Sequence, residues 1–354
     1  MSLIKKQFVI TSTPLRISFA GGGSDFHDFF SAHEGAFVSS TIDKEIKVTV
    51  KRHSDIFNEK FRINYSSSEI KNKLEDIEND IARECIKLVG IDYPLYISTI
   101  ADLPEKSGLG SSSSFCVGLL KALFELEGKK VNDKELFEAS VEVEINILKK
   151  PIGIQDQLAA VYGGFNFFKI LKDGSFEIKN LNQNSKNIVP NIFNNLLLIW
   201  TSIQRNSSDI LYEQEKNISK NIDNIKSIKN LAYDFWDLIN KDFDSKNIGE
   251  LLEKGWNNKI KLASKISNNE IIRLYEKCKN LGSYGGKLSG AGGGGFLLMV
   301  VDESIKNNLI NNLDNHNNID IKYNPNGSRI LLSEWEDIKW EKYTNQYCQM
   351  MIVW

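Results

Sequence analysis

Between Leu103 and Ser114 the chain runs Leu103-Pro104-Glu105-Lys106-Ser107-Gly108-Leu109-Gly110-Ser111-Ser112-Ser113-Ser114. Pro104 and the two glycines predict a tight loop. The serines after it open a helix whose apolar face is Leu119, Leu123 and Leu126, spaced i, i+4 and i+7 and stopped near Gly128. A helix that starts directly after such a loop presents free backbone N–H groups and about half a positive charge at its first turn. Phosphate oxygens bind that cradle without needing a lysine. Gly108, Leu109, Gly110, Ser111, Ser112 and Ser113 are therefore candidate nucleotide-phosphate ligands, and the Ser112 hydroxyl is a candidate Mg²⁺ ligand. A Walker loop is excluded because Ser111 stands where its lysine belongs. At Gly21 to Asp25 a dinucleotide fingerprint fails too, since Phe26 takes the last glycine position, and no G-x-S-x-G elbow exists.

The rest of the composition narrows the class. At 354 residues the prior is about two domains of ~150 residues. A polar stretch, Asn180 to Asn191, suggests a boundary that divides the chain into 1–185 and 186–354. Lys plus Arg number 44 against 46 Asp plus Glu, so no basic surplus points to nucleic acid or an anionic membrane surface. Cys85, Cys116, Cys278 and Cys348 are widely spaced without a C-x-x-C pair, as reduced thiols of a cytoplasmic protein would be. Met1 to Phe8 lacks the apolar stretch of a signal peptide, and no apolar run approaches the ~20 residues of a membrane span.

Strands are predicted at Phe8 to Ile10, Arg16 to Ala20, Leu95 to Ile100, Leu196 to Thr201, 296–301 and Arg329 to Leu332. Ala36 to Arg52 reads as a half-buried hairpin, with Ile46, Val48 and Val50 alternating. Asn132 and Glu135 form a capping-box pattern ahead of a helix that Pro151 stops, and helical spacing recurs at 208–218, 222–241, 248–264, 269–281 and 303–313. Strands and helices without regular βαβ alternation predict an α+β fold in two layers.

Two further glycine clusters flank the first: Gly21-Gly22-Gly23-Ser24-Asp25, and Lys287-Leu288-Ser289-Gly290-Ala291-Gly292-Gly293-Gly294-Gly295. With Pro14-Leu15-Arg16-Ile17-Ser18-Phe19-Ala20 before the second cluster, the set resembles, in order and content, the three motifs of the GHMP kinase superfamily. The resemblance implies a ribosomal-S5-like N-terminal domain and a ferredoxin-like C-terminal domain with the active site between them. It also implies ATP and Mg²⁺ as cofactors. Ser289, Gly290, Ala291 and Gly292 would join the phosphate loop at the nucleotide. Gly153-Ile154-Gln155-Asp156-Gln157 resembles the segment that carries the catalytic aspartate of the sugar-kinase branch, which makes Asp156 the candidate base and Arg16 its fixed cation. Glu144, twelve residues before Asp156, matches the magnesium glutamate of related kinases. Glu142 competes with it, because on one regular helix the two side chains diverge by about 200°.

Galactokinases carry Glu-His where this chain has Gly22-Gly23, so galactose-type contacts are missing while Asp25 is retained. The Gly22-Gly23-Ser24-Asp25 form and the Gln-Asp-Gln segment look most like the heptose 7-phosphate kinases, with fucokinases near them. That implies a sugar-phosphate acceptor reacting at its anomeric C1 hydroxyl and held by Gly22, Gly23, Ser24, Asp25 and Asp156. Its remote phosphate needs a second anion site, for which Arg205, just ahead of a predicted helix start, is the candidate. Another sugar-1-kinase, or a non-catalytic sugar and ATP sensor on the same fold, are the rival readings. The aromatic stretch from Trp335 to Trp354 is open between a packed tail and an oligomer contact, a homodimer included.

Overall fold

A computed structural model of the chain describes residues 6–54, 56–181, 188–204, 207–241, 244–313 and 317–335. Two long strands carry the first layer. β1 (Lys6–Ala20) and β2 (Gly35–Arg52), with α1 (His27–His33) between them, pair antiparallel from Phe8 opposite Lys51 to Ala20 opposite Val38. The two strands predicted at Phe8 to Ile10 and Arg16 to Ala20 are thus one. A register shift between Pro14 and Arg16 accommodates a proline that has no N–H to donate. The predicted hairpin in Ala36 to Arg52 is also a single strand. Its early half pairs with β6 (Phe165–Ile170) and its later half with β5 (Leu95–Ala101), so no turn is required at Asp43 and Lys44.

The remaining elements before the middle of the chain are β3 (Phe61–Asn64), β4 (Ser68–Lys71), α2 (Asp80–Val89), α3 (Ser111–Leu126), α4 (Asp133–Val141), α5 (Gln155–Tyr162) and β7 (Phe176–Asn180). After it come α6 (Ile188–Asn194), β8 (Leu196–Trp200), α7 (Ser207–Lys216), α8 (Ile222–Lys241), α9 (Ser245–Lys259) and α10 (Asn269–Asn280). Then β9 (Gly285–Leu288), β10 (Phe296–Val300), α11 (Glu303–Asn311), β11 (Asn318–Ile319) and β12 (Arg329–Trp335) follow. The first sheet runs β12-β1-β2-β5-β3-β4, with β6 and β7 added beside β2; the second runs β11-β8-β10-β9. Among the described strands only β3 and β5 pair in parallel. The capping box of Asn132 and Glu135 forms as predicted.

Packing explains why the second sheet has no alternation in its sequence. In β8, Leu196 and Leu198 join the core of the first layer while Leu197 and Ile199 join a second core under α7 to α11. In β10, Phe296, Leu298 and Val300 divide from Leu297 and Met299 in the same way. A sheet buried on both faces reads as an unbroken apolar run.

The last described strand returns to the first layer, since β12 pairs with β1 from Trp335 opposite Lys6 to Arg329 opposite Ser12. A carboxylate fastens it there. Glu45, on β2, accepts from Ser12 Oγ at 2.6 Å and Asn324 Nδ2 at 3.0 Å, and meets Arg329 Nη2 at 2.7 Å. Burial alone would raise its carboxyl, but these partners outweigh it and hold Glu45 below its ordinary 4.5. Glu45→Gln is expected to lower stability at neutral pH by roughly 1–3 kcal/mol. A depressed carboxyl contributes fully above its ordinary value and loses that contribution as pH falls through the lowered one. The deficit of the variant in denaturant melts should therefore shrink on acidification below 4.5, and a deficit independent of pH would refute the charge-based account.

Candidate active site

Four loops meet where the two sheets join: Gly21 to Phe26 after β1, 102–110 between β5 and α3, 148–154 ahead of α5, and 289–295 between β9 and β10. They line a cavity of about 490 Å³.

In the phosphate loop Gly108 and Gly110 both take φ near +80°, a conformation that favours glycine. Gly110 caps α3 through its backbone, no side chain caps that helix, and its first turn closes with the Ser114 N–H on the Gly110 carbonyl at 2.9 Å. The N–H groups ahead of that bond have no partner within the helix. Gly108, Gly110, Ser111, Ser112 and Ser113 line the cavity. Leu109, expected among the phosphate ligands, is instead fully buried in the core, and its carbonyl accepts the Arg16 N–H at 3.0 Å.

Arg16 ties three motifs together. Its Nη1 donates to the Gly108 carbonyl at 2.8 Å, its Nε donates to Asp156 Oδ1 at 2.8 Å, and Nη2 lies 2.5 Å from the same oxygen. The guanidinium is 6% exposed and the carboxylate 30%, so Asp156 faces the cavity while its counter-ion stands behind it. Asp156 is the second residue of α5, and Asp25 fixes the start of that helix. Asp25 Oδ2 accepts the Gln155 N–H at 3.1 Å, its main-chain carbonyl accepts the Ile154 N–H at 3.2 Å, and Oδ1 accepts the Gly23 N–H at 2.8 Å. Any side chain at Gly153 would collide with this carboxylate, its Cβ lying 2.0 Å from Oδ2. Burial raises the Asp25 carboxyl, against the pull of the Gly23 and Gln155 N–H groups.

Gly22, Gly23 and Asp25 line the cavity as expected. Ser24 does not reach it: it is fully buried, and its hydroxyl donates to the Gly21 and Ala36 carbonyls at 2.8 and 2.9 Å. Ser24 holds the turn instead of a ligand. Arg205 lies outside the described residues.

The choice between Glu142 and Glu144 is decided by a distortion, a π-helical turn from Glu142 to Ile147. Glu142 accepts from Asn146 at the surface, whereas Glu144 is turned fully inward. There Glu144 accepts from Ser112 Oγ at 3.0 Å and Gln157 Nε2 at 2.8 Å. Burial raises its carboxyl, opposed by Lys150 and by hydrogen bonds from Ser113, Ser112 and Gln157. The Lys150 ammonium lies 3.4 Å from Ser112 Oγ and 3.6 Å from Glu144 Oε1, so this corner already accommodates a positive charge. A carboxylate and a hydroxyl suit Mg²⁺, which takes few protein ligands and completes its shell with water and phosphate. Among the described residues no group of three or more His, Cys, Asp and Glu side chains gathers to hold a metal on its own.

Ser289, Gly290, Ala291 and Gly292 also line the cavity. Two lysines there escape sequence reasoning. Lys259, the last residue of α9, donates to the Gly290 carbonyl, and the buried Lys287 donates to the Phe19 carbonyl at 3.3 Å. Burial and the nearby Arg16 push the Lys259 ammonium down to about 8, against the pull of Asp25 and Asp156. Lys287 is lowered as well, by burial and by Lys259 and Arg16. Lys259 stands among Lys254, Lys261 and Lys265 and reads as one more solvated charge, while Lys287 carries no signal beyond opening the third glycine cluster.

Residues 76–164 match the model of the GHMP kinases N terminal domain and residues 220–319 that of the GHMP kinases C terminal domain. The chain is 32% identical over 313 residues to a D-glycero-alpha-D-manno-heptose 7-phosphate kinase of Campylobacter jejuni, covering 85% of this chain and 91% of that protein. The chain belongs to the GHMP kinase family. Its fold agrees with that membership. A D-glycero-D-manno-heptose 1-phosphate kinase from Bacteroides thetaiotaomicron superposes with a TM-score of 0.74 at 24% identity, covering 92% of this chain and 99% of that one. A Lactococcus lactis galactokinase complexed with galactose does so at 0.70 and 15% identity, covering 91% and 95%. The α+β class and the two-domain GHMP architecture predicted above are thereby borne out. Members of this family are ATP-dependent kinases and generally require Mg²⁺. Among the described residues, no helix of this GHMP kinase is long and apolar enough to cross a membrane.

The depressed Lys259 ammonium gives a test of the site's geometry. Above about pH 8 the folded chain holds this amine neutral, while the unfolded chain keeps its proton up to the ordinary 10.5. Folding stability from this group therefore rises between those values. Thermal melts of the wild type and Lys259→Met should diverge over that interval in favour of the wild type. A constant difference would mean that the ammonium is not desolvated.

Proposed function

We propose that this GHMP kinase transfers the γ-phosphoryl group of ATP to the anomeric C1 hydroxyl of D-glycero-D-manno-heptose 7-phosphate. The product is the 1,7-bisphosphate, made in the cytoplasm for nucleotide-activated heptose and surface polysaccharide. One observation carries the reading: a cavity-facing carboxylate, Asp156, fixed by a buried arginine that also holds the phosphate loop. The heptose assignment draws support from the relative in Campylobacter jejuni, whose name carries that substrate. In this reading the GHMP modules divide near residues 185 and 186, with β12 returning to the first.

The ATP phosphates lie on the N–H groups that open α3, and the purine lies against the apolar lining residues Ile46, Tyr65, Leu103 and Phe115. Two of the four, Leu103 and Phe115, flank the phosphate loop, while Ile46 and Tyr65 come from separate stretches, so no common spacing announces them. Ser112 and Glu144 would hold Mg²⁺, which neutralises charge on the phosphoryl oxygens when bound. Asp156 accepts the proton of the acceptor hydroxyl as that oxygen bonds to the γ-phosphorus and the bond from phosphorus to the ADP oxygen breaks. An anomeric hydroxyl is more acidic than an ordinary alcohol, so a carboxylate base suffices. Arg16 keeps Asp156 oriented, and Lys259 and Lys287 add positive charge to the cavity wall.

Purified protein incubated with ATP, Mg²⁺ and a panel of heptose 7-phosphate, fucose, galactose and mannose should release ADP with the heptose alone. Phosphorus NMR should identify a 1,7-bisphosphate. Turnover of fucose only would replace the acceptor, and ATP binding without any turnover would favour a sensor. Asp156→Asn should lower kcat by about 10²- to 10⁴-fold while leaving the Kd for ATP unchanged. Near-normal turnover in that variant would remove Asp156 as the base.

A further inference from the structure

Among the buried polar atoms without a hydrogen-bond partner in the wall of this cavity, which include Thr99 Oγ1, two flank Gly22: Gln155 Nε2 and Ser18 Oγ. Gln155 is 5% exposed, and its backbone is clamped by the Asp25 carboxylate, so its side chain cannot swing into solvent without disturbing the start of α5. Its sequence neighbour is the cavity-facing Asp156. Gly22 lies between the two unpartnered groups. A Cβ built on it would come within 3.2 Å of Gln155 Oε1 and 3.5 Å of Ser18 Oγ, so a side chain at 22 would take the space beside both groups.

A buried donor with no acceptor costs about 1–3 kcal/mol, and native proteins rarely tolerate one without a ligand or water to satisfy it. The chemistry of the pair identifies the ligand. An amide and a hydroxyl are uncharged, and both donate and accept, which matches another hydroxyl; a phosphate would call for the cations grouped around Lys259 and Lys287. We infer that Gln155 and Ser18 form a specificity-determining pair that reads a sugar hydroxyl adjacent to the one being phosphorylated, in the gap left by Gly22. This rests on the kinase reading above and adds to it the residues that distinguish a polyhydroxylated acceptor from one lacking that group. A site built to bond a hydroxyl discriminates strongly against an acceptor without it, because its own polar groups are then left unpaired.

The test measures steady-state kinetics of wild type, Gln155→Met, Ser18→Ala and Gly22→Ala with D-glycero-D-manno-heptose 7-phosphate and with its 2-deoxy analogue. Far-ultraviolet circular dichroism and ATP binding check that each variant folds. With the full sugar, Gln155→Met and Ser18→Ala should each lower kcat/KM for the acceptor about tenfold or more through KM, with the KM for ATP within about twofold of wild type. Gly22→Ala should do the same by filling the gap. On the 2-deoxy analogue the penalty of Gln155→Met should fall to about threefold or less, because the bond it removes is already missing. Equal penalties on both acceptors, or an unchanged acceptor KM in Gln155→Met and Ser18→Ala, would overturn the inference while wild-type turnover leaves the kinase reading standing. If the wild type prefers a different sugar, that sugar and its 2-deoxy form replace the pair and the same comparison decides. A wild type that phosphorylates no sugar overturns both.

Discussion

The site depends on a contact in which main chain lies directly on main chain. A Cβ on Gly108 would stand 2.6 Å from the Ser289 carbonyl oxygen, and one on Gly290 would stand 2.5 Å from the Gly108 Cα. Beside them the Phe296 N–H donates to the Ser107 carbonyl at 3.2 Å, and a Cβ on Gly295 would meet that same oxygen at 2.5 Å. The loop leaving β5 in the first sheet and the turn between β9 and β10 in the second are thereby laid against each other at a separation that side chains forbid. The cavity lies beside this contact, and Gly108, Gly110, Ser289 and Gly290 line it from the two loops that meet there. Glycine at these positions is a requirement of distance, separate from any affinity for phosphate.

Charge follows from that closeness. Arg16, Lys259 and Lys287 converge from β1, α9 and β9, while Asp25 and Asp156 are the carboxylates that face them in the cavity. Each lysine donates to a main-chain carbonyl, Gly290 or Phe19, and the α3 N-terminus adds its partial positive charge to theirs. Asp156 is matched by Arg16, and Asp25 is directed at backbone N–H groups, so neither carboxylate pairs with Lys259 or Lys287 and the surplus there is local. A desolvated surplus of this kind is unfavourable in an empty cavity and becomes favourable around a polyphosphate, which is why burial lowers both ammonium groups. Lys150 and Glu144 form a separate pair on the far side of the α3 start, where the π turn rotates Glu144 inward.

What could be read in the sequence divides along a physical line. The three glycine clusters were legible because tight turns with positive φ have few alternatives, and Gly108, Gly110 and Gly290 all adopt them. The apolar run of β10 was legible as a strand but its placement was not, since a strand buried on both faces carries no alternation to say which side meets which core. In β2 the alternation of Ile46, Val48 and Val50 is the same whether the segment folds back or continues. Continuity is decided by the length of β1, which is a long-range fact. Glu144 could be preferred over Glu142 only weakly, because a π turn depends on where the chain must go next and has no residue code of its own. Ser24 and Leu109 show a related limit: being adjacent to a motif does not say whether a side chain points at the cavity or at the backbone behind it. Lys259 matters only because Gly290, 31 positions later, is folded under it.

The two cavity carboxylates show how environment, and not residue type, divides their work. Asp25 is almost fully buried, and its two oxygens accept N–H groups from Gly23 and Gln155. Its ordinary value is raised by that burial, and a side chain at Gly153 could not even coexist with it. A carboxylate so enclosed has little freedom to approach a substrate atom or to exchange a proton with one. Asp156 is on the other side of the same helix start, more open to the cavity, with its Oδ1 held by Arg16. Proton abstraction requires an oxygen lone pair that is oriented and accessible at once. Asp25 supplies the orientation by fixing the first turn of α5, and Asp156 supplies the access, so a base at Asp156, as proposed, would be held still without being buried.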